Sequence, residues 1–326
     1  MSRSSHVIQP QSRRQFQIQG QVQGVGFRPF VFRLASDLGL SGFVRNEPQG
    51  VWVEVQGDFD SIQRFTISIE KDRPKLANYD RFDFEDIPVK DVPVNSSFEI
   101  RASIQRHRRS KAINKTVTVD TAVCPDCLAE MRDPDNKRHR YGLINCTNCG
   151  PRFSIITDVP YDRPSTSMAM FKMCLPCMQE YTDPRDRRFH AQPTACHDCG
   201  PQVTLVDVRG EQVEGDPYEK TAAMLAAGRI IGIKGIGGFH LAVRADDLQA
   251  VERLRELKHR EHKPFALLCR DMEVAQSLVD LSNLAKTHLQ ENTRPIVLAT
   301  AKDPNQFPGV NPGTDRLGVM LPYTPI

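Results

Sequence analysis

The sequence predicts an α+β protein of several domains: a β-α-β-β-α-β block, a duplicated four-cysteine module and a final α/β layer. Three observations support this prediction. Residues 15–103 carry strand-like and helix-like apolar patterns, cysteines recur with a 50-residue period in residues 119–201, and apolar strands alternate with helical segments in residues 202–326. A length of 326 residues suits two or three domains.

The first block opens with QFQIQGQV, the alternation of a half-buried strand. A helix is expected next, with Pro29 near its start and Gly39 as its stop. The remaining expected elements are strands at 42–46 and 51–56, a helix at 59–71, and strands at 79–88 and 97–102. This order is typical of the ferredoxin-like fold, an antiparallel sheet with two helices on one face.

The second block is an internal repeat of the pattern C-x2-C-x18-C-x2-C. Other positions recur at the same distance, such as Arg138 and Arg188, so the block is a duplicated module. Two C-x-x-C turns supply the four thiolates of a tetrahedral Zn²⁺ site, and we expect two structural zinc ions. The expected ligands are Cys124, Cys127, Cys146, Cys149, Cys174, Cys177, Cys196 and Cys199.

Two other cysteine chemistries are compatible with C-x-x-C pairs. Iron–sulfur clusters and redox C-x-x-C pairs also use such patterns, but four pairs in a duplicated frame favour zinc. Cysteines within one repeat are expected to share an ion, and a crossed grouping stays open. We interpret His139, His190 and His197 as surface residues, and Cys269, in an apolar strand, as a small buried hydrophobe.

The third block predicts an α/β layer. The expected elements are a helix at 219–228, a strand at 229–233, a Gly-rich turn at 234–240, a helix at 246–260, and strands at 265–269 and 295–300 with one helix between them. The sequence stops at LPYTPI without a clear terminal element, so we expect a truncated domain.

A Gly-rich turn, GQVQGVGFR at 20–28, joins the first strand to the first helix. Its spacing matches neither a Walker A loop nor a dinucleotide fingerprint. Glycines let backbone N–H groups point inward, the helix start adds positive potential, and Arg28 can bind phosphate through two hydrogen bonds. These features predict an anion site.

QVQGVGFR at 21–28, followed by GFVRN at 42–46, closely resembles the acylphosphatase family. The resemblance implies that Arg28 binds the phosphate and that Asn46 positions the attacking water. An acyl phosphate has a good leaving group, so holding the phosphoryl oxygens and aligning water suffices for hydrolysis.

Two later segments, 240–268 and 316–326, resemble the YrdC/Sua5-like domain. By that resemblance Lys258, Arg260 and Lys263 match a basic cluster that grips nucleotide phosphates, and Arg294 is a further candidate. The three parts in this order resemble the N-terminal part of the HypF family, the carbamoyltransferases of [NiFe] hydrogenase maturation.

The HypF resemblance implies a three-step function. Carbamoyl phosphate is hydrolysed at the acylphosphatase-like domain, and ATP then activates the carbamate as carbamoyl-adenylate at the YrdC-like domain. The carbamoyl group finally passes to the C-terminal cysteine of a partner, HypE, as a precursor of the cyanide ligands of the NiFe centre.

Composition and charge bear on location and on the alternatives. No apolar run is long enough to span a membrane, and no hydrophobic leader marks a secretory signal, so we expect a cytoplasmic protein without membrane contact. Residues 1–14 are expected to form a disordered tail, and residues 104–118 a basic linker.

The alternative function is a zinc-ribbon nucleic-acid-binding protein that uses this linker and a YrdC-like RNA-binding domain. A net charge of only +3 and the lack of an aromatic stacking stripe disfavour nucleic acid as a partner. A docking scaffold for maturation proteins is a third reading of the cysteine module.

Overall fold

The structure, a computed structural model, describes residues 11–91, 97–104 and 118–326. The first ten residues of the predicted tail and most of the predicted linker, residues 105–117, lie outside the described residues. The chain divides into two compact units, Met1–Val119 with Asn145–Gly200 and Asp120–Ile144 with Pro201–Ile326. The three predicted domain ranges stay predictions.

The first unit contains a five-stranded sheet in the order β4-β1-β3-β2-β5. All its neighbouring strands are antiparallel except β2 and β5, which run parallel. The predicted antiparallel sheet is therefore confirmed for β1 to β4, and β5 adds one parallel strand at the edge opposite β4. The strands are β1 (Gln11–Gln21), β2 (Ser41–Glu47), β3 (Gly50–Asp58), β4 (Asn78–Asp86) and β5 (Phe98–Ile100).

Two helices, α1 (Phe27–Asp37) and α2 (Phe59–Lys71), pack against this sheet. Asp58 caps α2 by accepting a hydrogen bond from the Ser61 N–H at 2.8 Å. Residues of the helices and of the sheet share one buried core, which confirms the ferredoxin-like prediction. The core includes Phe16, Ile18, Val31, Val53, Val55, Ile62, Phe65 and Ile69.

Residues 11–14 belong to β1 and not to a disordered tail. The sequence of these residues is polar and therefore does not indicate a strand. Two of its arginines are nevertheless buried, because each pairs with an acidic residue. Arg13 pairs with Glu54, and Arg14 Nε lies 2.6 Å from Asp86 Oδ1. Such pairing lets charged side chains leave water, and composition alone does not reveal it.

Each cysteine repeat contains a short helix that the sequence analysis did not predict, α3 (Pro125–Arg132) and α4 (Leu175–Thr182). Each follows directly after the first cysteine of its repeat and has a proline in its first turn, where no N–H is needed. Helix α3 belongs to the second unit and α4 to the first, which contains short 3₁₀ turns at Phe153–Ile155, Arg163–Ser165 and Ser167–Met170.

The second unit carries a two-stranded sheet, β6-β7, and a three-stranded sheet, β8-β10-β9. In the latter, β10 pairs parallel with β8 and antiparallel with β9. The elements are α5 (Pro217–Ala226), β6 (Ile231–Gly235), β7 (Gly238–Ala242), α6 (Leu248–Lys258), β8 (Ala266–Leu268), α7 (Met272–Leu278), α8 (Asn283–Gln290), β9 (Val297–Thr300) and β10 (Arg316–Met320).

Three details of this unit differ from the sequence prediction. The Gly-rich turn is shorter than predicted, because β7 already begins at Gly238. Two helices replace the single one expected after β8, since Asp271 and Ser282 each cap a separate helix. The strand β10 was not predicted. Cys269 is buried in the core of the unit, as expected.

None of the helices in the part of the chain that the structure describes combines the length and apolar character needed to cross a membrane.

Candidate functional site

The loop between β1 and α1, where the sequence predicts an anion site, forms a cradle. Gly24 and Gly26 both have φ of 75°, a conformation that side chains rarely adopt. Helix α1 begins directly after Gly26, and the first N–H groups of a helix have no intrahelical acceptor. The loop therefore offers backbone donors and the positive end of a helix dipole to a negatively charged group.

Arg28 and Asn46 lie side by side at this cradle. Arg28 is in the first turn of α1, whereas Asn46 lies on β2 and is fully buried. With its amide oxygen turned toward Arg28, Asn46 accepts from Nε at 3.3 Å and from Nη2 at 3.2 Å. The two residues that were singled out from separate motifs are thus brought together, and the Asn46 NH₂ group remains a donor for a further partner.

Residues of the cysteine module pack directly onto the cradle loop. Arg152 Nε donates to the Gly24 carbonyl at 2.5 Å, and the Tyr161 N–H donates to Gln23 Oε1 at 3.0 Å. Thr147 lies so close to Gly26 that a Cβ added to the glycine would be 3.3 Å from the Thr147 Cβ. These contacts hold the loop in its curved form.

Asp162, from the segment between the two cysteine repeats, is an ion-pair partner of Arg28. Arg28 Nη2 lies 2.6 Å from Asp162 Oδ1 and also donates to the Tyr161 carbonyl at 3.4 Å. Both side chains are mostly buried, with 9% and 23% of their surfaces exposed. A phosphate that binds Arg28 therefore competes with this carboxylate. No sequence motif marks Asp162.

A small cavity of about 20 Å³ lies at the cradle. Its walls include Arg28, Asn46 and, from the second cysteine repeat, His190. Only a small ligand suits such a space, and it must displace water or side chains to enter.

His190 is half-buried at the cavity wall, so its interpretation as a surface residue is wrong. Burial, together with the nearby Arg28 guanidinium and partly opposed by Asp162, lowers the pKa of His190 to about 4. The imidazole is therefore neutral at physiological pH. One sequence signal could have pointed to this residue: it replaces Arg140 of the first repeat.

The eight repeat cysteines form two groups, and within each group the four sulfurs lie within 4.8 Å of one another. The groups are Cys124, Cys127, Cys146 and Cys149, and Cys174, Cys177, Cys196 and Cys199. Cysteines are thus grouped within each repeat, as expected, and no histidine of the described residues belongs to either set.

The sulfur separations fit zinc. The Sγ atoms of Cys146 and Cys149 are 3.7 Å apart, as are those of Cys174 and Cys196, and the Cys196–Cys199 separation is 3.8 Å. A tetrahedral zinc with bonds of about 2.3 Å places neighbouring sulfurs about 3.8 Å apart. These are two zinc-finger modules, each with four cysteine ligands.

The predicted nucleotide-binding cations lie in the second unit. Lys258 ends α6, and the two other members of the cluster follow in the next loop. Arg260 Nε donates to the Lys263 carbonyl at 3.0 Å, and its guanidinium stacks on Phe265 at 4.9 Å. Arg260 therefore shapes this loop.

Arg255, which sequence reasoning missed, reinforces the same loop through the Arg260 carbonyl at 2.7 Å. Arg294 lies elsewhere, after α8, and donates to the Leu289 carbonyl at 3.0 Å. Its Nε has no partner among the described residues, and burial lowers its pKa.

The fold and the cradle define an acylphosphatase domain followed by zinc fingers and part of a YrdC-like domain. Three family models match the chain: acylphosphatase over residues 14–100, the HypF finger over 123–156 and 173–206, and the Sua5/YciO/YrdC model, described as telomere recombination, over 223–326. The chain belongs to the HypF carbamoyltransferase family and corresponds to its N-terminal portion.

Known relatives share this arrangement. Carbamoyltransferase HypF2 of Cupriavidus necator is 47% identical over 96% of this chain and 39% of its own length, and HypF of Rhodobacter capsulatus is 45% identical over 95% and 40%. A crystal structure of full-length HypF in the phosphate- and nucleotide-bound form matches with a TM-score of 0.88 and 44% identity, over 97% of this chain and 40% of that one. The chain spans about 40% of the length of these relatives.

Proposed function

We propose that the first unit hydrolyses carbamoyl phosphate to carbamate and phosphate, the opening step of carbamoyl transfer in hydrogenase maturation. The observation that carries this proposal is the contact between Arg28 and Asn46 at the mouth of the cradle. A guanidinium beside backbone donors suits a phosphate, and an amide suits a water molecule. The similarity to acylphosphatases over residues 14–100 supports the same chemistry.

In the proposed reaction, the cradle amides and Arg28 bind the phosphoryl oxygens, and the Asn46 amide orients a water toward phosphorus. The water oxygen forms a bond to phosphorus while the bond from phosphorus to the carbamoyl oxygen breaks. Carbamate leaves with that oxygen, and the proton of the water passes to the phosphate or to solvent. Positioning and charge neutralisation supply the rate enhancement, since the leaving group is good.

Zinc would have a structural role here, because four thiolates fill its coordination sphere. The fingers supply three of the groups that touch the cradle loop or the cavity: Arg152, Thr147 and His190. Folding of the fingers therefore determines the shape of the hydrolytic site.

The later steps extend the proposal to the whole protein of this family. ATP would activate carbamate as carbamoyl-adenylate with release of pyrophosphate, and the carbamoyl group would pass to the C-terminal cysteine of HypE. Lys258, Lys263, Arg260 and Arg294 are the proposed contacts for nucleotide phosphates. The nucleotide-bound HypF crystal structure supports a nucleotide site in the family.

Phosphate release from carbamoyl phosphate tests the first step, after subtraction of spontaneous decomposition. We expect Arg28→Ala to lower kcat/KM by about a thousandfold, because it removes the guanidinium proposed to neutralise the phosphoryl group. Arg45→Ala is a matched control, since Arg45 lies on the same strand as Asn46 but pairs with Glu47. Equal rates for the Arg28 variant and the unmodified chain would remove the assignment.

A further inference from the structure

His190 occupies a fixed position in the first unit. Its backbone N–H donates to the Tyr181 carbonyl at 2.9 Å, and its own carbonyl accepts from Gln192 Nε2 at 2.7 Å. The ring packs against Tyr181, with centroids 5.0 Å apart, and against Phe189, with centroids 4.6 Å apart. Phe189 in turn contacts Phe32 of α1, with ring centroids 5.3 Å apart. The imidazole is thus anchored to the helix that begins at the cradle.

The two ring nitrogens of His190 are available for a ligand. Among the described residues, neither ring nitrogen of His190 has a hydrogen-bond partner, and His190 lines the cavity together with Arg28 and Asn46. The ring is also close enough to Arg28 and Asp162 for their charges to act on it. A polar group beside a small cavity gains most from a ligand that satisfies it.

The charge state of His190 indicates which group of a ligand its ring can bind. Since burial and Arg28 hold its pKa at about 4, the ring adds no positive charge for a phosphate. A neutral imidazole offers one N–H donor and one nitrogen acceptor. An amide group, with its carbonyl oxygen and NH₂, presents the complementary pair.

We propose that His190, contributed by the second zinc finger, is a specificity-determining residue that hydrogen-bonds the planar amide end of an acyl phosphate substrate. Arg28 and the cradle hold the phosphoryl end of the same molecule, and His190 selects a carbamoyl group over an acetyl group of equal size. The proposal rests on the proposed function, because the cradle must bind the phosphoryl end. No bond is made or broken by His190.

The kinetic test compares carbamoyl phosphate with acetyl phosphate, which replaces NH₂ by CH₃. His190→Ala is expected to lower the ratio of the two kcat/KM values about 10- to 100-fold, because the hydrogen bonds to the amide are lost. His190→Gln, which keeps a donor and an acceptor, is expected to recover part of the ratio. The inhibition constant of inorganic phosphate is expected to stay unchanged in both variants.

Arg140→Ala is the matched control, since Arg140 holds the equivalent position of the first repeat and pairs with Asp216. This variant should keep the ratio of the unmodified chain. Zinc content and melting temperature show whether each variant is folded. Equal loss for both substrates in a folded His190→Ala protein would overturn the proposal, and so would a matching rise in the phosphate inhibition constant.

A binding measurement separates this proposal from the hydrolytic function. Phosphonoacetamide and acetonylphosphonate are stable analogues that differ only in the NH₂ or CH₃ group beside the carbonyl. If the unmodified chain hydrolyses neither acyl phosphate, the proposed function fails. A preference for phosphonoacetamide that His190→Ala abolishes would still support the role of His190, and equal binding of both analogues by the unmodified chain would refute it.

Discussion

The two zinc-finger repeats have the same local framework and different surroundings. Arg140 and His190 both have positive φ, 58° and 53°, and their N–H groups bond to equivalent carbonyls, those of Met131 and Tyr181. Asp133 and Asp183 each accept a hydrogen bond from the backbone two residues later. Duplication therefore preserved the turn as well as the ligands.

The side chains at the matched position differ in environment. Arg140 is about half exposed and pairs with Asp216, whereas His190 lines the cavity beside Arg28. Position 152 of the first repeat also differs from its counterpart, since Arg152 binds the cradle loop and the matching residue is Gln202. The comparison teaches that the metal ligands recur in both fingers, whereas the contacts with the cradle loop and the cavity come from positions between and after these ligands.

The largest expected effect concerns the independence of the two metal groups. A Cys127→Ser/Cys149→Ser double variant should lose one zinc of two, because both sulfurs belong to one group. A Cys127→Ser/Cys177→Ser double variant should lose both. A structural zinc site contributes on the order of 10 kcal/mol in small modules, so each loss should unfold its finger. Metal analysis measures the stoichiometry.

Loss of both zinc ions from the first double variant would break the comparison, since the repeats would then share ligands or fold as one unit. Inductively coupled plasma measurements on Cys269→Ser serve as the control, because Cys269 lies in neither group.

The second prediction concerns pH. Unfolded His190 gains a proton below about pH 6.5, whereas the folded residue has a pKa of about 4, so acid favours the unfolded state across that interval. Arg28, Asp162 and Tyr181 are the titratable groups near the ring. Between pH 7.5 and pH 5, the chain should lose up to about 2 kcal/mol of stability relative to His190→Gln.

Thermal unfolding with zinc held saturating measures this difference. Arg140→Gln, the first-repeat counterpart, should show the same pH dependence as the unmodified chain. If the His190 and Arg140 variants respond alike to acid, the two positions are equivalent and the contrast between the repeats is lost.

A third prediction tests the contact that only the first repeat makes. The Arg152 guanidinium donates to the carbonyls of Gly24, Cys146, Thr147, Cys149 and Pro151. Arg152→Lys keeps the charge but not the planar fork, so we expect about 2 kcal/mol of lost stability and a raised KM for carbamoyl phosphate. Unchanged unfolding and kinetics would show that these contacts do not hold the cradle. Arg45→Lys provides the control for a lysine on the same unit.

The smallest effect is expected at Asp162, between the repeats. Asp162→Asn removes a carboxylate from the Arg28 guanidinium, which we propose binds phosphate, so inorganic phosphate should inhibit about three- to tenfold more strongly. The inhibition constant at fixed ionic strength measures it. An unchanged or weaker inhibition would mean that Asp162 does not compete with the anion.

Local patterns predicted much of this molecule, and long-range contacts were the part they missed. The alternation of polar and apolar residues in β1 and the spacing of apolar residues in α1 indicate which faces are buried. The spacing of the cysteines indicates a metal site. Each of these signals depends on residues that are close together in the sequence. The adjacency of Arg28 and Asn46 followed only through family resemblance. Asp162 and His190 reach Arg28 from over 130 residues away, and no spacing rule encodes such a meeting.

The buried pairs at Arg13 and Arg14 escaped prediction for a related reason. A run of polar residues is predicted to be exposed unless their ion-pair partners are known. The partners here, Glu54 and Asp86, lie on strands that are distant in the sequence. The division of the last helical segment into α7 and α8 could, by contrast, have been predicted from the sequence. Asp271 and Ser282 are N-cap residues, and each marks the start of a separate helix.

The hydrogen bonds that Gln23 and Gly24 make fix the curved loop before any anion arrives. The side-chain amide of Gln23 donates to the carbonyls of Glu47 and Gly50, at 2.8 and 2.9 Å, and so connects the loop to β2 and β3. A binding loop that is already rigid loses little conformational entropy when it binds an anion. Affinity for a small anion can then come from few atoms, and its release should need only local rearrangement of side chains.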